Sequence, residues 1–214
     1  MKAVWYEQIG TADDVLRHGN TDDPEVSDGE VLVRIRASGV NPSDVKTRGG
    51  ARGELQFPRI IPHSDGAGKI EAVGNGVDKN RIGERVWLWN GAFGRAFGTC
   101  AEYISLPANQ AVEMPENTSF EAGACMGIPA STAYHGVFSG GSVKNKTVLV
   151  TGGAGAVGHY AIQLAKWDGA QVITTVSGTE KGLAAEEAGA DLVVNYKTED
   201  VVEAVNNFTN GEGG

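Results

Sequence analysis

The first half of the chain consists of short apolar segments separated by turn residues. Residues 31–37 partly alternate apolar and polar side chains and follow a Ser-Asp-Gly turn signal. Similar segments lie at residues 69–73, 85–89 and 101–106. β-Branched and aromatic residues in short segments bounded by Gly and Asn are typical of strands. The pattern therefore predicts an N-terminal, mostly antiparallel β domain.

From residue 146 the pattern changes to alternating strands and helices. Continuous apolar runs predict parallel strands that are buried on both faces, and apolar residues at helical spacing predict the helices between them. The predicted elements are strand 147–151, helix 157–167, strand 171–176, helix 181–188, strand 191–195 and a helix from 198 to about 207. This order indicates the first half of a Rossmann-type parallel sheet. An Ala-rich helical stretch over 119–138, interrupted by Pro129, joins the two parts, and we predict domains over residues 1–121 and 122–214.

Composition limits the classes of function. The 214 residues carry a formal net charge of −9, and no run of Lys or Arg reverses it locally, which argues against nucleic-acid binding. No apolar run approaches the roughly 20 residues of a membrane span, and the N-terminus lacks the apolar core of a secretory signal. Cys100 and Cys125 are too few for a disulfide framework. We therefore expect a cytoplasmic protein with no membrane partner.

A glycine-rich loop lies between the first parallel strand and the next helix. Residues 152–158 contain the GxGxxG spacing at Gly153, Gly155 and Gly158. A tight turn without a ligand has the same spacing, but the strand and helix around it form the βαβ context of a dinucleotide site. Gly155 would let backbone N–H groups approach a pyrophosphate at the helix N-terminus. The loop therefore predicts a dinucleotide-binding site.

The end of the second parallel strand indicates which dinucleotide binds. NAD-preferring sites usually carry an acidic residue there, and this chain has Ser177 instead. Ser177 offers a hydroxyl and Lys181 a cation one helical turn later, which together suit a 2′-phosphate. Lys181 is also compatible with an ordinary solvated lysine, although a cation is unfavourable in the first turn of a helix unless an anion binds there. The pattern favours NADPH.

Six motifs along the whole chain carry a family resemblance. They are Gly-Val-Asn-Pro-Ser-Asp at 39–44, Pro-His-Ser-Asp-Gly-Ala-Gly at 62–68, Gly-Thr-Cys-Ala-Glu-Tyr at 98–103, Ser-Thr-Ala-Tyr at 131–134, the glycine loop, and Ala-Gly-Ala before Asn195-Tyr196. In this order they resemble the zinc-free branch of the medium-chain dehydrogenase/reductase superfamily, most closely the NADPH:quinone oxidoreductases related to zeta-crystallin. The resemblance implies a GroES-like β domain that shapes the substrate cleft and a Rossmann domain that binds NADPH.

The resemblance also implies roles for particular residues. It assigns Asn41 a position near the nicotinamide, which makes Asn41 our catalytic candidate. The cofactor-contacting candidates are Thr132, Gly155, Ala156 and Val157, and those around the 2′-phosphate are Ser177, Lys181 and Tyr196.

Zinc alcohol dehydrogenases form the related branch to be excluded. They place a cysteine where this chain has Asn41, and Gly-His-Glu where it has His63-Ser64-Asp65. Their structural zinc needs four clustered cysteines, whereas only Cys100 lies between residues 85 and 115. We therefore expect no metal site.

The implied activity is hydride transfer from NADPH to a quinone-like acceptor. Lys46 and Arg52 stand in a loop where quinone reductases often carry tyrosines, so the acceptor stays open. Trp87, Trp89 and Phe93 are candidates either for an aromatic wall of the cleft or for plain core. Two other functions remain: a zinc-free reductase of enal or enoyl double bonds, and a non-catalytic nucleotide-binding protein.

Family members are longer than this chain, which resembles a truncated form with only the first half of the Rossmann domain. Strand 147–151 would then form an exposed apolar edge, and such an edge favours association. We expect a homo-oligomer such as a dimer, and no competent reductase activity from these 214 residues alone.

Overall fold

The computed structural model describes residues 1–212 and contains two compact units, Met1–Ile128 and the chain from Pro129 onward. The first unit contains an antiparallel sheet and the second a three-stranded parallel sheet, which confirms the predicted α/β fold class. The domain boundary proposed between residues 121 and 122 falls within a short helix ahead of the division between the units, and it stays a prediction.

The first unit opens with a two-stranded antiparallel ribbon of β1 (Lys2–Trp5) and β2 (Arg17–Asn20), joined through the single turn of α1 (Ala12–Val15). Its main sheet has five antiparallel strands in the order β6-β3-β4-β5-β7. These strands are β3 (Glu30–Gly39), β4 (Asp65–Val73), β5 (Arg85–Leu88), β6 (Tyr103–Pro107) and β7 (Ala111–Glu113). Besides α1, this unit contains the helices α2 (Pro42–Arg48) and α3 (Phe120–Gly123).

The core of the first unit follows from the two-residue period of its strands. Val31 and Val33 on β3 are fully buried and pack with Ile70, Val86 and Ile104 from the neighbouring strands. Successive side chains of a strand point to opposite faces, so alternate residues reach the same core. The predicted strands are confirmed within a few residues at their ends.

Helix α2 is an element that the sequence patterns did not predict. Pro42 occupies its first turn, where the missing N–H costs nothing, and Asn41 is the N-cap. The Asn41 N–H donates to Asp44 Oδ2 at 2.8 Å. Local signals for a helix start were therefore present, but the segment lacks an apolar stripe because none of its residues is buried.

The second unit alternates strands and helices as predicted. After a wide turn over Met126–Ala130 that contains Pro129, the chain forms α4 (Ser131–Phe138). The following elements are β8 (Thr147–Thr151), α5 (Ala156–Asp168), β9 (Gln171–Val176), α6 (Thr179–Glu187), β10 (Leu192–Asn195) and α7 (Val201–Phe208). The parallel sheet has the order β10-β9-β8.

Small residues let the helices of the second unit pack closely on this sheet. Ala133 of α4 and Ala161, Ile162 and Ala165 of α5 share a buried cluster with Val172 of β9. Among the described residues β8 pairs with β9 alone, so it forms an edge of the sheet. No helix within residues 1–212 has the length and apolar character needed to span a membrane.

Candidate functional site

The glycine loop between β8 and α5 is held against the end of β9. Gly152 adopts a positive φ of 71°, and its N–H donates to Thr175 Oγ1 at 3.2 Å. The Gly153 N–H donates to the Thr175 carbonyl at 3.1 Å. These bonds turn the chain sharply out of β8 and into the first turn of α5.

Two of the three motif glycines are required by the packing of the protein itself. A Cβ on Gly153 would overlap the Thr174 hydroxyl, and a Cβ on Gly158 would overlap the Gly152 carbonyl. Thr174 is fully buried and donates to the Val150 carbonyl at 2.6 Å, so it has no room to move away. These glycines bring the loop, α5 and β9 close together.

Gly155 has a different environment. A Cβ there would meet only the Gly152 carbonyl oxygen, at 3.2 Å, and the residue is exposed. Gly155 is the N-cap of α5 and offers no capping side chain to the first N–H groups of the helix, and the first two helical residues, Ala156 and Val157, are exposed. A helix N-terminus with free N–H groups and space in front of it suits a phosphate group. The loop therefore fits the pyrophosphate of a dinucleotide.

The residues predicted around a 2′-phosphate lie together at the carboxyl end of β9. Lys181 Nζ donates to Ser177 Oγ at 3.0 Å. The Tyr196 N–H donates to the Val176 carbonyl at 3.1 Å, which places Tyr196 next to Ser177, and its side chain is 53% exposed. Ser177 follows β9 directly and no acidic side chain stands in its place. A hydroxyl, an ammonium group and an exposed phenol thus share one end of the strand.

Two predicted residues remain, Thr132 and Asn41. Thr132 is exposed on α4, next to Ala133, which packs against α5. Asn41 belongs to the first unit, whereas Thr132 and the other six predicted residues belong to the second.

Asn41 is fixed by a buried carboxylate. Its side chain is only 7% exposed, and its Nδ2 donates to Asp65 Oδ2 at 2.8 Å. Asp65 is 1% exposed and also accepts from the Ile128 N–H, at 2.9 Å to Oδ1 and 3.0 Å to Oδ2. Asp65 accepts one of the two N–H groups of the Asn41 amide, which fixes the orientation of that side chain.

Burial dominates the electrostatics around Asn41. It raises the pKa of Asp65, and the hydrogen bonds from Ile128 and Asn41 offset this only in part. Burial also raises the pKa of Asp44, against the Asn41 hydrogen bond and the positive charge of Arg52.

A cavity of about 420 Å³ lies in the first unit, beside α2. It has polar and charged walls from Asp44, Arg52, His63 and Arg95, and apolar walls that include Phe93. Of the two cations proposed near the cleft, Arg52 lines this cavity and Lys46 does not. Of the three proposed wall aromatics, only Phe93 does so.

His63 is a cavity residue to which sequence reasoning gave no role. Its φ of +77° is unusual for a residue other than glycine, and zinc dehydrogenases carry glycine at this position. His63 Nδ1 lies 2.9 Å from Ser38 Oγ, and burial lowers the pKa of the imidazole. The sequence signal that could have pointed to His63 is the histidine itself, which stands where zinc dehydrogenases have glycine.

The same region shows no set of metal ligands. Asn41 and Ser64 occupy the positions of the expected cysteine and histidine, and Asn41 is bonded to Asp65. Within residues 1–212, no three His, Cys, Asp or Glu side chains gather as a possible metal site.

Comparisons with known proteins find similarity to dehydrogenases and reductases. Residues 27–116 match the alcohol dehydrogenase GroES-like domain, and residues 156–214 match the zinc-binding dehydrogenase family. The 2-methylene-furan-3-one reductase of Solanum lycopersicum is 33% identical over 97% of the chain and 55% of its own length. The alcohol dehydrogenase of Geobacillus stearothermophilus is 32% identical over 99% of the chain and 68% of its own length.

A solved structure of Escherichia coli quinone oxidoreductase complexed with NADPH superposes with a TM-score of 0.85. It is 28% identical over 99% of this chain and 64% of that one. The chain belongs to the medium-chain dehydrogenase/reductase superfamily and, within it, to the quinone oxidoreductase family. It spans only 55% to 68% of the length of these relatives.

Proposed function

We propose that this chain carries the cofactor and acceptor sites of a zinc-independent, NADPH-dependent quinone oxidoreductase. The observation that carries the proposal is the hydrogen-bonded pair of Ser177 and Lys181 at the end of β9, where an NAD-preferring site has an acid. When bound, the dihydronicotinamide supplies a hydride to a conjugated acceptor.

The residues of the second unit would hold the cofactor at two places. The N–H groups that follow Gly155 suit the pyrophosphate, with Ala156 and Val157 exposed beside it. Lys181, Ser177 and Tyr196 suit the 2′-phosphate through one cation and two hydroxyl groups. Thr132, exposed on α4, is a further cofactor contact in this proposal.

The first unit would orient the acceptor. Asn41 is held in one side-chain orientation by Asp65, so its amide can position a neighbouring group without reorganising. The cavity beside α2 is apolar at Phe93 and polar at Asp44 and Arg52, a mixed lining that suits a planar carbonyl compound. Zinc independence is supported by the Asn41 and Ser64 substitutions and by the Asn41–Asp65 bond.

A reductase of conjugated double bonds is the second candidate. It is favoured by the similarity to the 2-methylene-furan-3-one reductase, whose named substrate is an enone. Titrating the NADPH-bound protein with a naphthoquinone and with an alkenal separates the two candidates by the compound that binds more tightly. NADPH binding with no affinity for either compound would instead favour a non-catalytic nucleotide-binding protein.

A cytoplasmic location and a homodimer complete the proposal. The two free cysteines support a reducing compartment, and the edge position of β8 supports association.

The Lys181→Met variant tests the cofactor assignment. We expect a roughly 10- to 100-fold weaker Kd for NADPH and little change for NADH, because a charge-assisted bond to phosphate contributes about 1.5–3 kcal/mol. Isothermal titration of both cofactors measures this. Glu180→Gln is the matched control, since it removes an exposed charge from the same helical turn without removing a cation. An equal loss for both cofactors in Lys181→Met would refute the 2′-phosphate assignment.

Metal removal tests the zinc-independent part of the proposal. We expect elemental analysis of the purified protein to find zinc well below one atom per chain, and NADPH binding to be unchanged after chelator treatment. Stoichiometric zinc, or binding that is lost with a chelator and restored by zinc, contradicts it.

A further inference from the structure

A chain of hydrogen bonds runs behind His63, on the side away from the cavity. Thr99 Oγ1 lies 2.5 Å from the Asp65 backbone oxygen and 2.9 Å from Ser38 Oγ. Ser38 Oγ in turn lies 2.9 Å from His63 Nδ1. Ser38 and Thr99 do not line the cavity, whereas His63 does.

The proton positions in this series of hydrogen bonds follow from counting the donors. A backbone carbonyl only accepts, so the short Thr99–Asp65 contact requires the single hydroxyl proton of Thr99. Thr99 Oγ1 must then accept from Ser38, which commits the single proton of Ser38. Ser38 Oγ can consequently only accept from His63, so Nδ1 carries the imidazole proton.

The opposite direction is unfavourable. If Thr99 donated to Ser38, two oxygen lone pairs would face each other at 2.5 Å between Thr99 and the Asp65 carbonyl. Thr99 is fully buried, so water cannot relieve that repulsion. The arrangement fixes one neutral tautomer of His63, in which Nε2 carries a lone pair.

Nε2 is the ring nitrogen left for the cavity. Nδ1 is turned towards Ser38, and no residue in the described part of the chain bonds to Nε2. Burial lowers the pKa of His63 below its ordinary value of 6.5, so the neutral ring predominates at neutral pH. The other charged groups of the cavity wall are Asp44, Arg52, Glu54 and Arg95.

We propose that His63 is a specificity-determining residue of the cavity, which accepts a hydrogen bond at Nε2 from a hydroxyl group of the substrate. Ser38 and Thr99 are positioning residues that keep the proton on Nδ1. The preferred substrate is then a conjugated carbonyl compound that also carries a hydroxyl group, and its methyl ether is disfavoured because two acceptors would meet. The substrate class rests on the proposed function, whereas the tautomer does not.

The tautomer is measured by nitrogen-15 NMR of the imidazole rings in the 214-residue chain. The chain has four histidines, and the His63 signals are identified by their loss in His63→Gly. That variant should fold, because glycine tolerates the positive φ at this position. We expect the Nδ1–H form in the wild type. In Thr99→Val the Ser38 hydroxyl is free to donate to Nδ1, so we expect the Nε2–H form.

Substrate preference is measured by binding a naphthoquinone with a hydroxyl group remote from its quinone oxygens, and the methyl ether of that compound. Tryptophan fluorescence quenching gives both Kd values without turnover. We expect the wild type to prefer the hydroxyl compound by roughly 3- to 10-fold. Thr99→Val, Ser38→Ala and His63→Gly should lose this preference. Ser105→Ala, which removes a hydroxyl bonded to Glu30 on another strand, should keep it.

These measurements separate the inference from the proposed function. An Nε2–H form in the wild type overturns the inference, and so does an equal affinity for the two compounds. If the expected tautomer and preference were found but NADPH did not bind, the inference would stand and the proposed function would be refuted.

Discussion

Gly155→Ala is expected to weaken NADPH binding by about 100-fold while the second unit still folds. A Cβ at this position meets only the Gly152 oxygen at 3.2 Å, so the loop needs to move by a few tenths of an ångström. The methyl group would stand in front of the N-terminus of α5, where the pyrophosphate is expected to approach. Losing one or two charge-assisted hydrogen bonds to phosphate is sufficient for such a change. Titration calorimetry gives the affinity and thermal unfolding gives the stability.

Gly136→Ala is the matched control for this variant. Gly136 lies within α4, and a Cβ there meets nothing within 4 Å. Alanine in a helix is more favourable than glycine by about 0.5–1 kcal/mol, so we expect a slightly higher Tm and unchanged affinity. Wild-type affinity in Gly155→Ala would mean that the dinucleotide does not approach this end of the helix.

The parallel strands of the second unit could be predicted from local sequence patterns. Strands 147–151 and 171–176 agree with β8 and β9 because continuous apolar runs between turn residues are unambiguous when helices alternate with them. Helix α2 and strands β1, β2 and β7 were not predicted. Of the two short ribbon strands, β1 mixes exposed, half-buried and buried residues and β2 is mostly exposed, so neither shows a clear apolar alternation.

The candidate cofactor site was also predictable in outline, since it depends on neighbours in sequence. Ser177 and Lys181 are one helical turn apart, and the structure shows them hydrogen-bonded. The acceptor side was harder, because its bonds join distant segments: Asn41 with Asp65, and Ser38 with His63 and Thr99. No local pattern specifies such pairs, so Asp65 and His63 were seen in the sequence only as residues that do not match the zinc-ligand motif.

The hydrogen bond between Asn41 and Asp65 has both a structural and a functional consequence. A carboxylate that is 1% exposed needs donors, and here a side-chain amide and a backbone N–H supply them. The bond also holds Asn41 in place, which links the stability of the first unit to the geometry of the proposed acceptor site. The two properties should therefore change together when the pair is broken.

Asp65→Ala is expected to destabilise the first unit by about 2–4 kcal/mol. It leaves the Asn41 amide and the Ile128 N–H without an acceptor, and each buried unpaired donor costs about 1–3 kcal/mol. Relief of the buried charge offsets part of this loss. Urea unfolding followed by tryptophan fluorescence measures it, since Trp5, Trp87 and Trp89 lie in the first unit.

The destabilisation caused by Asp65→Ala should depend on pH. Burial raises the pKa of Asp65 above 3.8, so the proton-linked part of its stabilisation is complete below that pH and is lost as pH rises through the raised pKa. The difference in the free energy of unfolding between the wild type and Asp65→Ala should therefore shrink with rising pH.

Ser43→Ala is the control: Ser43 Oγ is buried and has no hydrogen-bond partner within the described residues, so its loss should change stability by less than about 1 kcal/mol. A wild-type midpoint for Asp65→Ala at every pH would show that the carboxylate neither supports the unit nor holds Asn41.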